Sequence, residues 1–296
     1  GGGELDRHSG LGRCFGRGKA PSGRLNMAEK DWIARYLAPL AQGAGAAGLR
    51  DDVAQLGVSD PVAITTDAMV EGVHFLGTDP VDTVARKLVR TNVSDLLASG
   101  AEPAEALLVL GWPKRRGEAE IAAFAAALGD ELAAWGAQLI GGDTVKGPMA
   151  FTITAQGFIP PGSELTRSGA KPGDWLYVTG TLGDAGAGLD ILQNKLSVNG
   201  EAKDVLVNRH YFPTPRVAVG TAIRRIATSC IDISDGLISD IRHILRASNC
   251  GANVHVERLP LSRALTSAVT PEQAIEYALS AGDDYELIFT VSEEQR

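Results

Sequence analysis

Aspartates framed by apolar and small residues recur along this chain. Asp67 follows Ala63-Ile64-Thr65-Thr66, Asp143 follows Ile140-Gly141-Gly142, and Asp232 and Asp235 lie in Ile231-Asp232-Ile233-Ser234-Asp235-Gly236. Asp51-Asp52, Asp95 and Asp283-Asp284 have similar surroundings. Their placement reads as strand ends and turns, not helix faces. Such frames leave a carboxylate poorly hydrated, and a carboxylate taken out of water needs a compensating charge or hydrogen-bond donors. A single aspartate finds them by capping a helix or closing an Asx turn. A whole set is better served by a shared cation, above all in a chain whose 28 Lys and Arg face 36 Asp and Glu for a net charge of −8. Asp and Thr oxygens are hard ligands that suit Mg²⁺ better than zinc, and Mg²⁺ is held by a few carboxylates together with substrate phosphates. The implied ligand is a polyphosphate, most simply a nucleoside triphosphate.

The remaining composition narrows the class. Hydrophobic residues make up 44% and charged residues 22% of 296, an ordinary globular balance with length for two domains of about 150 residues each. The acidic excess lacks the basic footprint of a nucleic-acid binder, so no nucleic-acid partner is expected. Cys14, Cys230 and Cys250 show no C-x-x-C spacing. That fits neither a disulfide framework nor a zinc ribbon, and it suits a reduced compartment. No apolar run of about 18 residues and no secretory pattern are seen, so the expectation is a cytoplasmic protein without a membrane partner. Residues 1–26 hold eight glycines and five basic residues against two acids. They read as a flexible leader or fusion scar ahead of a natural start at Met27.

Periodicity then places the elements. Helices are expected over 31–40, 82–98, 118–135, from about Leu189, over 216–226 and over 237–247. Strands are expected over 61–66, 104–110, 138–140, 150–158, 175–178, 254–256 and 287–291, with a glycine turn between the third and fourth. Pro160-Pro161-Gly162-Ser163 is the best linker signal. The alternation predicts an α/β or α+β class in two domains, 27–160 and 161–296.

Common nucleotide signatures are missing: there is no G-x-x-x-x-G-K-[ST] and no kinase H-R-D set. Gly180-Thr181-Leu182-Gly183-Asp184-Ala185-Gly186 reads equally as a phosphate loop at a helix N-terminus or as a tight strand-to-helix turn. Arg167, beside the linker, is placed to reach phosphates. His74 follows closely on Asp67.

Taken together, DDVAQL (51–56), ITTDAMVEGVHF (64–75), NVSDLLASGAEP (92–103), LIGGDTVKGP (139–148), LTRSGAKPGDWLYVTGTLGDAGAGL (165–189), IDISDGLISD (231–240) and ALSAGDDYEL (278–287) resemble the thiamine-monophosphate kinases, a family of the aminoimidazole ribonucleotide synthase-like ATP-binding proteins. The resemblance spans nearly everything after residue 26. It implies a two-domain fold whose N-terminal sheet closes a barrel across a homodimer, followed by a C-terminal α/β domain. It also implies transfer of a phosphoryl group from ATP to thiamine monophosphate. Carried over by position, Asp52, Thr65, Thr66, Asp67, Asp95, Asp143, Asp232 and Asp235 would hold Mg²⁺. Gly142, Asp143, Arg167 and Ser234 would contact ATP, and His74 and Asp283 the thiamine phosphate. Two positions depart from the family pattern: Arg50 stands where a glycine is usual, and Asp283 where the longer Glu is usual.

The acceptor of such a reaction is a phosphate whose second pKa is about 6, already an anion near neutrality. No side-chain base is needed, and none stands out. An aminoimidazole ribonucleotide synthase-like enzyme shares the ATP logic and is the nearest rival. A non-catalytic nucleotide-binding module is the rival from another class. Selenophosphate synthetase would need a reactive cysteine in register with the N-terminal acids, where Cys14 is not. Residues 286–291 read as a strand and 292–296 run into charge, so the expectation is a chain that continues beyond Arg296.

Overall fold

The longest helix carries apolar or small side chains on nearly every side, which demands cover on more than one face. A computed structural model, which describes residues 54–56 and 61–296, supplies that cover. Strands β1 (Ala54–Leu56) and β2 (Val62–Val70) are followed by this helix, α1 (Val81–Ala98). Then come β3 (Glu102–Trp112), α2 (Glu118–Ala134), β4 (Gln138–Lys146) and β5 (Ala150–Phe158). The five strands form one sheet in the order β1-β2-β5-β3-β4, antiparallel except for the β3–β4 pair. Helix α1 packs on β2, β3 and β5 with Val84, Leu88, Val89 and Val93, all essentially without exposure. Phe75, Phe124 and Phe151 tie α2 to the same face, the last two with ring centroids 4.5 Å apart. The other sheet face leaves Leu107, Val109, Val145 and Phe158 exposed, and Leu139 and Ile140 are exposed at the irregular stretch of edge strand β4.

The second half begins with β6 (Trp175–Val178), α3 (Asp184–Leu192), α4 (Glu201–Tyr211) and α5 (Val217–Ile223). It continues with β7 (Ala227–Asp232), α6 (Leu237–Ser248), α7 (Arg263–Ala268), α8 (Pro271–Ser280) and β8 (Leu287–Val291). Its antiparallel sheet has β8 in the middle, in the order β6-β8-β7. Both sheets lie in one compact unit. The side of α1 away from the first sheet meets β7, α4 and α5, so one helix serves two layers.

The α/β class and the expected elements over 82–98, 118–135, 150–158, 175–178, 237–247 and 287–291 are observed. Other expectations need correction. The 138–140 strand runs on through Gly141-Gly142 to Lys146, because a register shift at Ala106/Leu107 lets the glycines stay in the ladder instead of turning. Gly142 has φ +149°, and a Cβ there would lie 1.8 Å from the Leu108 carbonyl oxygen, so only glycine fits. The strand starting at 61 extends to Val70, and the helix read from about Leu189 starts at Asp184. No strand forms at 254–256, where the chain makes a short 3₁₀ turn over Val256–Arg258. The helix expected over 31–40 lies outside the described residues. Among the described residues no helix is long and apolar enough to cross a membrane.

Candidate active site

One stripe of α1 builds the centre. Lys87, Thr91, Ser94 and Asp95 recur at three- and four-residue spacing, so they share a face of the helix. Each reaches a group on another element. Ser94 Oγ donates to Asp232 Oδ2 at the end of β7, 2.7 Å away. Lys87 Nζ donates to Asp283 Oδ2 at 2.8 Å. Thr91, whose hydroxyl donates to Leu88 O at 3.1 Å, lies close enough to Asp67 to favour its charged form. Asp95 Oδ2 accepts from Thr65 Oγ1 of β2 at 2.6 Å. Side chains alternate along a strand, so Asp67 shares the helix-facing side of β2 with Thr65. Asp67, Asp95 and Asp232 thus meet from a sheet, a helix and a second sheet.

Their electrostatics are those of an uncompensated anionic centre. Burial raises the Asp67 carboxyl above its ordinary value, with Thr91 and His74 opposing. Burial, then the charges of Asp232 and Asp67, push Asp95 well above the usual range. Asp232 is pushed up to about 6, mainly by burial, although Ser94 and Arg167 favour its charged form. Tyr285 is buried beside the same acids, and burial together with their charges raises its hydroxyl far up. These groups offer only oxygen donors and too little positive charge, which is what a hard cation would relieve. Among the described residues, no three Asp, Glu, His or Cys side chains form a ready-made metal cage. Phosphate oxygens would have to complete the coordination.

Two loops beyond β7 and β8 lace together next to this centre. Ile233 N donates to Glu286 O, Tyr285 N to Ile233 O and Asp283 N to Ser234 O. The lacing holds Asp283 and Tyr285 at φ +67° and +50°, a left-handed backbone that non-glycine residues rarely adopt and that gathers at functional sites. The buried Asp240 Oδ2 accepts from both Ser234 N and Asp235 N at 3.0 Å, fixing the turn that presents them. Burial raises Asp240 to about 7. Burial opposes the Asp283 charge as well, but Lys87 prevails and holds its carboxyl below the usual range. His210 Nδ1 lies 3.8 Å from Asp283, and burial followed by Lys87 depresses the imidazole to about 4. The histidine is therefore neutral near pH 7, and Lys87 is the counter-ion of Asp283.

A cavity of about 420 Å³ opens here, lined by Gly186, Asp190, Ser234, Asp235, Tyr277 and Asp283 among others. The expected phosphate and acceptor residues thus fall partly in one place. Ser234, Asp235 and Asp283 line the cavity. Asp67, Asp95, Asp232 and Thr65 form the adjoining centre, Arg167 acts electrostatically on Asp232, and His74 on Asp67. The His74 imidazole accepts from Val70 N through Nδ1 at 3.1 Å, which orients the ring.

Others stand apart. Thr66 faces the opposite side of β2 and donates to Ile153 O. Asp143, with Gly142, lies on the exposed edge strand, where Oδ1 takes the Thr144 amide. The reading of these acids as strand-end and turn residues is corrected for three of them: Asp67 and Asp143 are within strands, and Asp95 is on a helix. Asp52 is outside the described residues. The Gly180–Gly186 segment is the tight turn and not an open anion loop, because the buried Asp284 takes the Gly183 amide at 2.8 Å. Sequence reasoning missed Lys87, His210, Asp240 and Tyr285. A lysine on the same helical stripe as Asp95 was the available signal for the first.

Comparison with known proteins adds an independent line. The family model described as AIR synthase related protein, N-terminal domain, matches residues 50–159, and its C-terminal counterpart matches 171–296. The thiamine-monophosphate kinase of Escherichia coli (strain K12) is 52% identical over 254 residues, covering 84% of this chain and 77% of that protein. The thiamine-monophosphate kinase of Haemophilus influenzae is 44% identical over 278 residues, 92% of this chain and 84% of the relative. A solved structure described as AaThiL complexed with AMPPCP and TMP superposes with a TM-score of 0.84 at 29% identity, covering 92% of this chain and 89% of that one.

Proposed function

Because this chain belongs to the thiamine-monophosphate kinase family of the AIR synthase related proteins, we propose that it transfers the γ-phosphoryl group of ATP to thiamine monophosphate, yielding thiamine diphosphate and ADP. The high identity to curated kinases over most of both chains carries the reaction. The convergence of Asp67, Asp95 and Asp232 supports the way it is run.

The acceptor phosphate is already anionic near neutrality, with a second pKa of about 6, so transfer needs no side-chain base. Donor and acceptor are both polyanions. The difficulty is to hold them in line and offset their repulsion. Mg²⁺, when bound, supplies charge neutralisation and orientation of the phosphates. Asp67, Asp95 and Asp232 would hold it, with Thr65 and Asp235 at the margin and Asp52, Thr66 and Asp143 as further positions in this reading. Gly142, Asp143, Arg167 and Ser234 are read as ATP contacts, and His74 and Asp283 as acceptor contacts. Transfer is direct, without a phosphoenzyme.

We read residues 27–160 as the nucleotide, metal and dimerisation domain and 161–296 as the second α/β domain. The exposed apolar side chains Leu107, Val109, Val145 and Phe158 support a homodimer closed on this sheet face, since such patches mark association surfaces. Light scattering that reports a monomer at working concentration would remove that part. The reading also places the protein in the cytoplasm.

The direct test is an assay with ATP and Mg²⁺. ADP and thiamine diphosphate should appear only when thiamine monophosphate is added. Cyclisation of formylglycinamidine ribonucleotide without diphosphate formation would favour the rival synthase instead. A finer expectation concerns Asp283. Asp283→Asn leaves Lys87 without its counter-ion at the wall of the cavity, so KM for thiamine monophosphate should rise about tenfold with little change for ATP. An equal rise in both constants removes Asp283 from the acceptor side.

A further inference from the structure

Two chemically different groups of side chains line the 420 Å³ cavity. One comprises Ser234, Asp235 and Asp283, with the buried Lys87 behind them. The other comprises Asp190 and Tyr277, which also line an adjoining cavity of about 320 Å³ with Gln273, Glu276 and Ser280. Among the described residues, no Lys or Arg lines either cavity. The Asp190–Tyr277 side is therefore anionic and aromatic, which suits a cationic ring.

Its geometry is fixed. Tyr277 Oη donates to Asp190 Oδ2 at 2.7 Å, which sets the ring against the α3 segment carrying Gly186. A Cβ on Gly186 would meet Ala281 Cβ at 2.4 Å and the Tyr277 ring at 3.4 Å, so the wall has no room for a larger residue there. Asp190 also has Lys195 Nζ at 3.7 Å from Oδ1, but that lysine is two-thirds exposed and such exposed pairs are weak, so a bound cation can take its place.

We propose that Tyr277 and Asp190 determine acceptor specificity by holding the positively charged heteroaromatic ring of the acceptor, while its phosphate lies toward Ser234 and the adjoining acid centre, where a bound cation would offset the carboxylates. This rests on the assignment of the cavity to the acceptor made above. Thiamine monophosphate carries such a ring in its thiazolium. Its neutral isostere, 3-deazathiamine monophosphate, has the same shape and phosphate without the charge.

Calorimetric titration of the full chain with both compounds isolates the charge, independently of turnover. Wild type should bind the cation at least about 10-fold more tightly than the isostere. Asp190→Asn should bring that ratio near one, through loss of affinity for the cation only. Tyr277→Leu should lower the ratio severalfold. Tyr277→Phe, which keeps the ring, should preserve most of it. ATP affinity should stay unchanged in all three. A merely structural role would weaken both compounds equally and leave the ratio alone, and that result overturns the proposal. A wild-type ratio near one overturns it too. Absence of diphosphate synthesis in the wild type would count against the kinase reading, while the binding ratio would still decide the role of Asp190 and Tyr277.

Discussion

Asp67→Asn should lower turnover by at least about 100-fold while leaving the protein folded. The carboxylate stands with Asp95 and Asp232 in a centre where burial pushes each of them above its ordinary pKa, and the charge of Asp67 adds to the rise in the other two. Removing one negative charge weakens the hold on any cation that must work against phosphates. The same removal relieves Asp95 and Asp232, so the metal-free variant should melt at or above the wild-type temperature at pH 7. The sign follows from linkage. A carboxyl whose folded pKa is raised binds its proton more tightly when folded. Its stabilising contribution is therefore complete below about pH 4 and is lost as pH rises through about 6 for Asp232. The metal-free wild type should accordingly lose stability from about pH 4 to about pH 7, and Mg²⁺ with an ATP analogue should restore it. Turnover near wild type in Asp67→Asn, checked alongside circular dichroism, would remove the acid centre from the mechanism.

Glu286→Gln should have the largest effect on stability. The Glu286 side chain has no exposure, and its carboxylate accepts from Arg209 at 2.7 Å, from Arg216 through both oxygens, and from Thr179 Oγ1 at 2.6 Å. Loss of its charge leaves two largely buried guanidinium groups without a partner, which costs about 3 kcal/mol or more. For a chain of this length that corresponds to a fall in Tm of about 6 °C or more. The two arginines lie on and just before helices that pack near α1, so the loss should extend beyond β8. A melting curve superimposable on wild type would show that the network is dispensable.

Much of this architecture was readable in sequence where burial is periodic. Helix α1 announces itself through Val84, Leu88, Val89, Val93, Leu96 and Leu97, and β8 through Leu287, Ile288, Phe289 and Val291. The misses share a cause. Helix α4 buries little beyond Leu206 and His210 and is otherwise polar, so it has no stripe to detect. Strand β4 is exposed along its whole length and crosses two glycines that normally end a strand. At the site, the apolar frames led to the acids but not to their partners. The Lys87–Asp283 contact spans 196 residues and the Ser94–Asp232 contact 138, and no local pattern encodes such pairings. Thr66 and Asp143 join the metal set through the resemblance alone, since Thr66 lies on the opposite side of β2 from Asp67 and Asp143 on an edge strand.

Helix α1 sets the spacing of Lys87, Thr91, Ser94 and Asp95 by its pitch, and each of the four meets a different partner. Inserting or deleting one residue between them would turn everything downstream by about 100° and displace it by about 1.5 Å along the axis. No loop lies within the segment to absorb the change. Insertions should therefore be tolerated in the connection between α3 and α4, at 193–200, and rejected throughout 87–95. Length variation among natural homologues should obey the same restraint: the spacing of these four contacts is written in helical turns, so evolution can exchange the side chains along α1 but cannot alter their number.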